Sequence, residues 1–269
     1  MLFICPKCSG KLSKAENNTV KCSLGHSYDI AKEGYLNLLL SSCRKTHGDN
    51  REMVDARRAF LDTGAYFPLA KEVSELAEKY FCGNRILDIG CGEGYYTDII
   101  YKKLSANGEL NFSAFDISRD AVKRSAKRNP NISLAVASAY RQPFADSTFD
   151  MAFNMFSPLA HSELLRVLRP GGIFIMAVPG EEHLFGLKKE AYKTPYRNEL
   201  SDSELDGFSL AETKRIKYTL NLNNNLSVRS LFMMTPYAYR TPKESRERVL
   251  ALDSLSTDAE FVIFVYRKL

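Results

Sequence analysis

From Arg85 onward, short apolar runs alternate with helix-patterned segments, and this alternation limits the possible folds more than any other feature. The runs are 85–90 (RILDIG), 111–117 (NFSAFDI), 132–137 (ISLAVA), 149–156 (FDMAFNMF) and 172–178 (GIFIMAV), with helical spacing over 94–104, 119–128 and 161–168 between them. Apolar strands joined by crossovers pair in parallel, and both faces of such a sheet must be covered. The predicted class is α/β, a Rossmann-like sheet with helices on both faces. The tail adds a polar helical stretch (181–205), further strand-like runs and the strongly apolar 260–266 (EFVIFVY).

Upstream, Met53, Ala56, Phe60 and Leu61 recur at helix spacing. After Thr63-Gly64, Pro68 fits the first turn of a second helix carrying Leu69, Val73, Leu76 and Tyr80. Residues 40–52 (LSSCRKTHGDNRE) lose periodicity and read as a linker or mobile basic loop. The expected organisation is a module over 1–40, a basic linker with helices over 41–80, and the α/β core over 81–269.

The first module is defined by Cys5-Pro-Lys-Cys8, thirteen residues, Cys22, and then His26. Zinc takes four ligands in a tetrahedron, and structural sites are closed by Cys and His alone. Cys5, Cys8, Cys22 and His26 complete such a set, with Pro6 and Gly25 suited to the two turns. So few residues bury too little apolar surface to fold unaided, and a metal would supply the difference. A redox Cys-x-x-Cys would leave Cys22 and His26 without a role, and a catalytic zinc would need an open position. Cys43, Cys82 and Cys91 read as free thiols.

The run Asp88-Ile-Gly90-Cys-Gly92-Glu-Gly94-Tyr95 joins a buried strand to a helix. Its glycine spacing is not G-x-G-x-x-G, and it lacks the Gly-Lys-Ser/Thr of a P-loop. Asp88 at the strand end would repel a pyrophosphate but suits a cationic ligand without phosphate. S-adenosylmethionine, with its sulfonium, ammonium and free ribose hydroxyls, is such a ligand. Its chain can pass close to Gly90, Gly92 and Gly94, where a Cβ would intrude. Asp116 ends the next strand, at the carboxyl edge where ligands of open α/β sheets lie, and can accept from both ribose hydroxyls.

With these residues in view, the chain resembles class I S-adenosylmethionine-dependent methyltransferases. Asp88–Gly94 matches motif I, and Asp116 and Leu168-Arg-Pro-Gly-Gly172 match further positions. Together with the cysteine module, Ala31-Lys-Glu-Gly-Tyr-Leu-Asn37, Ala56-Arg-Arg-Ala-Phe-Leu61 and Met234-Thr-Pro-Tyr237, they resemble the large-subunit ribosomal RNA methyltransferase A family. The resemblance implies methylation of N1 of a guanine in a 23S rRNA hairpin and one structural zinc on Cys5, Cys8, Cys22 and His26. It also implies cofactor contacts at Tyr66, Gly94, Tyr95 and His183, and a homodimer. Asn154-Met-Phe-Ser-Pro158 departs from the family, in a loop where its members vary.

Charge agrees with a polyanionic partner. The chain has a net charge of +5, and residues 1–60 hold ten Lys/Arg against six Asp/Glu, an excess of four. Arg44, Lys45, Arg51, Arg57 and Arg58 are the candidate phosphate contacts. Lys123, Arg124, Lys127 and Arg128 read as a solvated helix face. Phe156 is either core or a surface on which a base could stack. Guanine N1 must lose its proton, and Asp88, Glu163, Glu181, Glu182 and His183 lie at the right sheet edge, but no catalytic base is singled out. A small-molecule methyltransferase with a structural zinc module is the alternative. No apolar run reaches the length of a bilayer span, and MLFICPKC is unlike a signal peptide, so a cytoplasmic protein away from membranes is expected.

Overall fold

The computed structural model describes residues 1–40, 48–106, 108–200 and 203–269. Arg44, Lys45, Cys43 and His47 lie outside the described residues. The amino-terminal strands are β1 (Ser13–Ala15), β2 (Thr19–Lys21), β3 (Ser27–Asp29) and β4 (Leu36–Asn37), followed by helices α1 (Arg51–Leu61) and α2 (Phe67–Tyr80). The core then runs β5 (Arg85–Ile89), α3 (Tyr95–Ser105), β6 (Asn111–Asp116), α4 (Arg119–Arg128), β7 (Ser133–Val136), β8 (Phe149–Met155), α5 (His161–Val167), β9 (Leu168–Pro179) and α6 (Phe185–Ala191). It ends with β10 (Phe208–Leu222), α7 (Asn225–Met233), α8 (Tyr237–Arg240), α9 (Lys243–Leu250) and β11 (Leu255–Lys268).

Among the described residues, one sheet has the order β10-β11-β9-β8-β5-β6-β7-β4. Every pair from β4 to β9 is parallel, while β11 is antiparallel to both β9 and β10. Strand β8 is buried along its whole length, which is why its sequence does not alternate. The strand order reverses between β5 and β8, and at such a switch point the diverging crossovers leave a crevice at the carboxyl ends.

Local signals set the helix ends. The Asn50 side chain accepts from the Met53 N–H at 2.9 Å and starts α1, a cap worth about 1 kcal/mol against alanine. Pro68 sits in the first turn of α2, which buries Leu69, Val73 and Leu76 in the main core. One tail expectation is corrected. Among the described residues of the stretch predicted as helical, only Phe185–Ala191 is helix, because Pro195 lacks an N–H and disfavours α geometry at Thr194. The further strand-like runs expected in the tail correspond to β10, but the segment after it forms α7, α8 and α9, which the sequence reading did not place; Asn224, Pro236 and Pro242 mark their starts.

The amino-terminal module is fused to the core rather than tethered to it. Leu36 and Asn37 pair in parallel with Ala135 and Val136. The Ile4 N–H donates to the Pro143 carbonyl at 2.9 Å, Phe3 stacks on Phe144 at 5.0 Å, and the Arg141 guanidinium donates to the Pro6 carbonyl at 3.0 Å. Phe3, Leu12, Val20 and Leu36 share one apolar cluster with Leu87, Phe115, Phe144 and Phe149 of the sheet. Among the described residues, no helix is long and apolar enough to cross a membrane.

Candidate active site and zinc centre

Two turns bring Cys5, Cys8, Cys22 and His26 together. Ser9 takes a positive φ of 58°, with its N–H on the Cys5 carbonyl, and Gly25 takes +80°, with its N–H on the Cys22 carbonyl. The four donor atoms lie within 4.8 Å of one another, with Cys8 and Cys22 Sγ 3.6 Å apart and His26 Nδ1 3.5 and 3.4 Å from Cys5 and Cys22 Sγ. Tetrahedral zinc–thiolate bonds of about 2.3 Å require sulfur atoms roughly 3.8 Å apart, so a zinc ion fits the set. The Tyr28 hydroxyl lies 3.1 Å from Cys5 Sγ and can donate to its thiolate, which would fix that ligand's orientation. Four protein ligands leave no open position, so the centre is structural.

The crevice is built around the end of β5. Gly90, Gly92 and Gly94 have φ of 75°, 55° and 88°, values that a residue with a Cβ adopts only under strain. A Cβ on Gly92 would meet no protein atom within 4 Å, so the open side of the loop is free for a ligand, whereas one on Gly94 would meet Ser125 at 2.5 Å. Asp88 is buried beneath the loop. Its Oδ2 accepts from the Thr97 hydroxyl at 2.6 Å, and its Oδ1 has no partner. Burial pushes its carboxyl up to about 7, with Asp116 adding to the shift. A buried carboxylate oxygen without a donor is the electrostatic complement of a bound cation, and S-adenosylmethionine fits it.

Asp116 accepts from the Gly92 N–H at 3.0 Å and from the Ser118 N–H at 2.7 Å, which ties the glycine loop to the end of β6. Burial pushes its carboxyl up against the pull of those donors, and the carboxylate retains lone pairs for ribose hydroxyls. Tyr95 begins α3 and packs under the Arg128 guanidinium, whose charge is shared between the buried Glu93 and Asp62. Arg124 likewise pairs with Asp55. Two of the four cations read as a solvated face therefore bridge α4 to α1 and to the glycine loop.

Tyr66 and His183, 117 residues apart, meet with Tyr66 Oη 3.4 Å from His183 Nε2. Both rings pack on Phe261, whose ring also lies 5.6 Å from Phe156. The backbone N–H of Glu260 donates to His183 Nδ1 at 3.3 Å, so the neutral ring carries its proton on Nε2, facing Tyr66. Burial, with the Lys188 charge adding, pulls this imidazole down to about 3. With one nitrogen occupied and the other protonated, His183 is not a general base. Glu163 is held by Arg166 and the Gln142 N–H, and Glu182 by Arg197.

The loop after β8 closes the far wall. Ser157 Oγ donates to the Ile89 carbonyl at 2.8 Å, and a Cβ on Gly90 would sit 2.5 Å from Ser157, so this loop and the glycine loop are pressed together. Phe156 is left at φ 62° and 40% exposed. A left-handed conformation for a bulky residue costs about 1–3 kcal/mol and persists only where its surroundings impose it. The Ser157 and Thr97 contacts carry no signal in sequence, because each depends on a neighbouring strand or helix.

Of the candidate phosphate contacts, Arg51 is well exposed and Arg58 half-exposed beside Asp62. Arg57 turns inward to Asp49 and the Met234 carbonyl, which removes it from the outer face.

Known proteins carry the same two parts. The family profile described as "RlmA, N-terminal", a zinc ribbon, matches residues 3–46, and the one described as "Methyltransferase domain" matches 86–172. The 23S rRNA (guanine(748)-N(1))-methyltransferase of Streptomyces fradiae is 30% identical, over 93% of this chain and 91% of its own length. Proteins of Bacillus subtilis and Micromonospora griseorubida, provisionally named 23S rRNA (guanine-N(1)-)-methyltransferases, are 28% and 31% identical over 90% and 92% of this chain. They are covered over 89% and 90% of their own lengths. The two profiles take in the zinc ligands and the glycine loop, the likeness to the relatives covers nine-tenths of the chain, and the chain belongs to the family of 23S rRNA (guanine-N1)-methyltransferases, a zinc ribbon fused to a class I S-adenosylmethionine-dependent core.

Proposed function

We propose that this chain transfers a methyl group from S-adenosylmethionine to N1 of a guanine in a 23S rRNA hairpin. The observation that carries the reading is the joint likeness of ribbon and core to relatives named for that reaction, over nine-tenths of the chain. The cofactor supplies a methyl group already activated on a sulfonium, so the chain contributes mainly proximity and orientation. Gly90, Gly92 and Gly94 would hold the cofactor through backbone, Asp116 would accept from its ribose, and Asp88 would face its cationic end. Tyr66, Tyr95 and His183 complete the expected contacts. A base within a hairpin must leave its stack to reach the methyl, and Arg51 and Arg58 are offered as phosphate contacts that hold the RNA meanwhile. The reading carries with it a cytoplasmic site of action and a homodimer, the latter to be read by light scattering.

Transfer of tritiated methyl to undermethylated 23S rRNA tests the proposal. N1 lies on the Watson–Crick edge, so reverse transcription is expected to stop at one guanine in a hairpin. Label appearing only in small molecules would favour the alternative, in which the ribbon is structural support for a metabolite methyltransferase.

A further inference from the structure

The geometry points to Phe156 as the face on which the acceptor guanine stacks once it is out of its helix. The inference rests on the rRNA reading and names the group that positions the base. Residues Ile89 of β5 and Asn154 of β8 are partners across the switch point, so the segments that leave these two strand ends lie at the mouth of one crevice. Gly90, Gly92 and Gly94 come after Ile89. Phe156 comes just after the end of β8, and its loop is held from three sides: the Ser157 N–H donates to Asn154 Oδ1 at 3.2 Å, Ser157 Oγ donates to the Ile89 carbonyl, and the Phe156 N–H donates to the Ala177 carbonyl at 3.3 Å. These bonds keep Phe156 in the left-handed region when relaxation would turn the ring elsewhere.

The ring is flanked rather than covered. It meets Tyr96, in the first turn of α3, edge-on at 6.1 Å, and tilts over Phe261 at 5.6 Å. The phenylalanines within β8 itself, Phe149 and Phe153, are fully buried. An apolar ring kept partly in solvent, in a conformation the backbone resists, beside the glycine loop, has the properties of a platform for a flat ligand. A purine offers a π-face that stacks on an aromatic whatever the flanking sequence.

The test compares Phe156→Ala, Phe156→Leu, Phe156→Tyr and Phe156→Trp in the full zinc-loaded chain, on an rRNA hairpin containing the acceptor guanine. Loss of one base–aromatic stack predicts that kcat/KM for RNA falls roughly 5- to 140-fold in the alanine variant. Tyrosine and tryptophan should restore most of it, leucine should not, and S-adenosylmethionine affinity should stay at the wild-type value in all four. Melting of the alanine variant should fall by less than about 4 °C, against roughly 6–20 °C for truncating a fully buried phenylalanine in a chain of this size. An active leucine variant, or one that loses cofactor affinity in step with activity, overturns the inference. A wild-type chain inactive on the hairpin and on 23S rRNA instead overturns the functional reading itself.

Discussion

In the zinc ribbon, tight turns at Ser9 and Gly25 aim four donor atoms at one another, and even Tyr28 adds its hydroxyl to the set. In the crevice, turns at Gly90, Gly92 and Gly94 leave Asp88 Oδ1 buried with no partner and open space beside Gly92. Both regions use positive-φ turns at the ends of short extended segments. The ribbon converges its polar atoms on a closed centre that needs only an ion. The crevice holds its polar atoms apart at the cost of burying a carboxylate that wants a cation. Closure accompanies a scaffold, and an unmet electrostatic demand accompanies a binding site.

The largest effect should come from the ribbon. Structural zinc contributes about 10–16 kcal/mol in isolated zinc-finger peptides, and here the ribbon shares its apolar cluster with the sheet. Cys8→Ala is expected to abolish zinc, measured by elemental analysis, and to lower the melting temperature of the whole chain by more than about 10 °C. A ribbon that melts alone, leaving the core transition in place, would break the comparison by showing two independent bodies.

Asp116→Ala addresses the crevice. Loss of one to two charge-assisted hydrogen bonds, each about 1.5–3 kcal/mol, should weaken S-adenosylmethionine by at least tenfold in titration calorimetry, with zinc content unchanged. Undiminished affinity would remove Asp116 from the ribose site.

The smallest effect is a pH dependence that sharpens the contrast. Asp88 has a folded value near 7 against an unfolded value of about 3.9. The folded chain then holds the extra proton, so this group's contribution to stability is full below about pH 4, falls as pH rises toward 7, and is flat above. Cofactor binding runs the other way, since only the ionised carboxylate attracts a cation. Affinity should tighten by up to about tenfold between pH 6 and pH 8, and Asp88→Asn should flatten the profile. His183 adds no inflection there, because it stays neutral. A wild-type profile flat from pH 6 to 8 would show that Asp88 does not face the cationic end.

Much of this is legible in sequence wherever chemistry is local. The Cys5–Cys8 and Cys22–His26 half-sites and the run from Asp88 to Gly94 are each local turns, and the strand and helix periods of the core are short-range patterns. The features that resist reading depend on distant partners. Tyr66 and His183 come only through resemblance, because no periodicity links residues that far apart. Arg57, Arg124 and Arg128 look like surface charge until Asp49, Asp55 and Glu93 are placed beside them. The helices after β10 escape the sequence reading because Asn224, Pro236 and Pro242 are start signals only if a helix is already suspected.

Leu36 and Asn37 leave the ribbon and at the same time form the eighth strand of the central sheet. If the metal is stripped and the ribbon unravels, β7 loses its neighbour and bares a row of hydrogen-bonding groups along the sheet margin. Unprotected margins of this kind recruit other chains. Chelation should therefore produce insoluble aggregate rather than a trimmed, working enzyme, and purification buffers free of strong chelators would be the practical corollary.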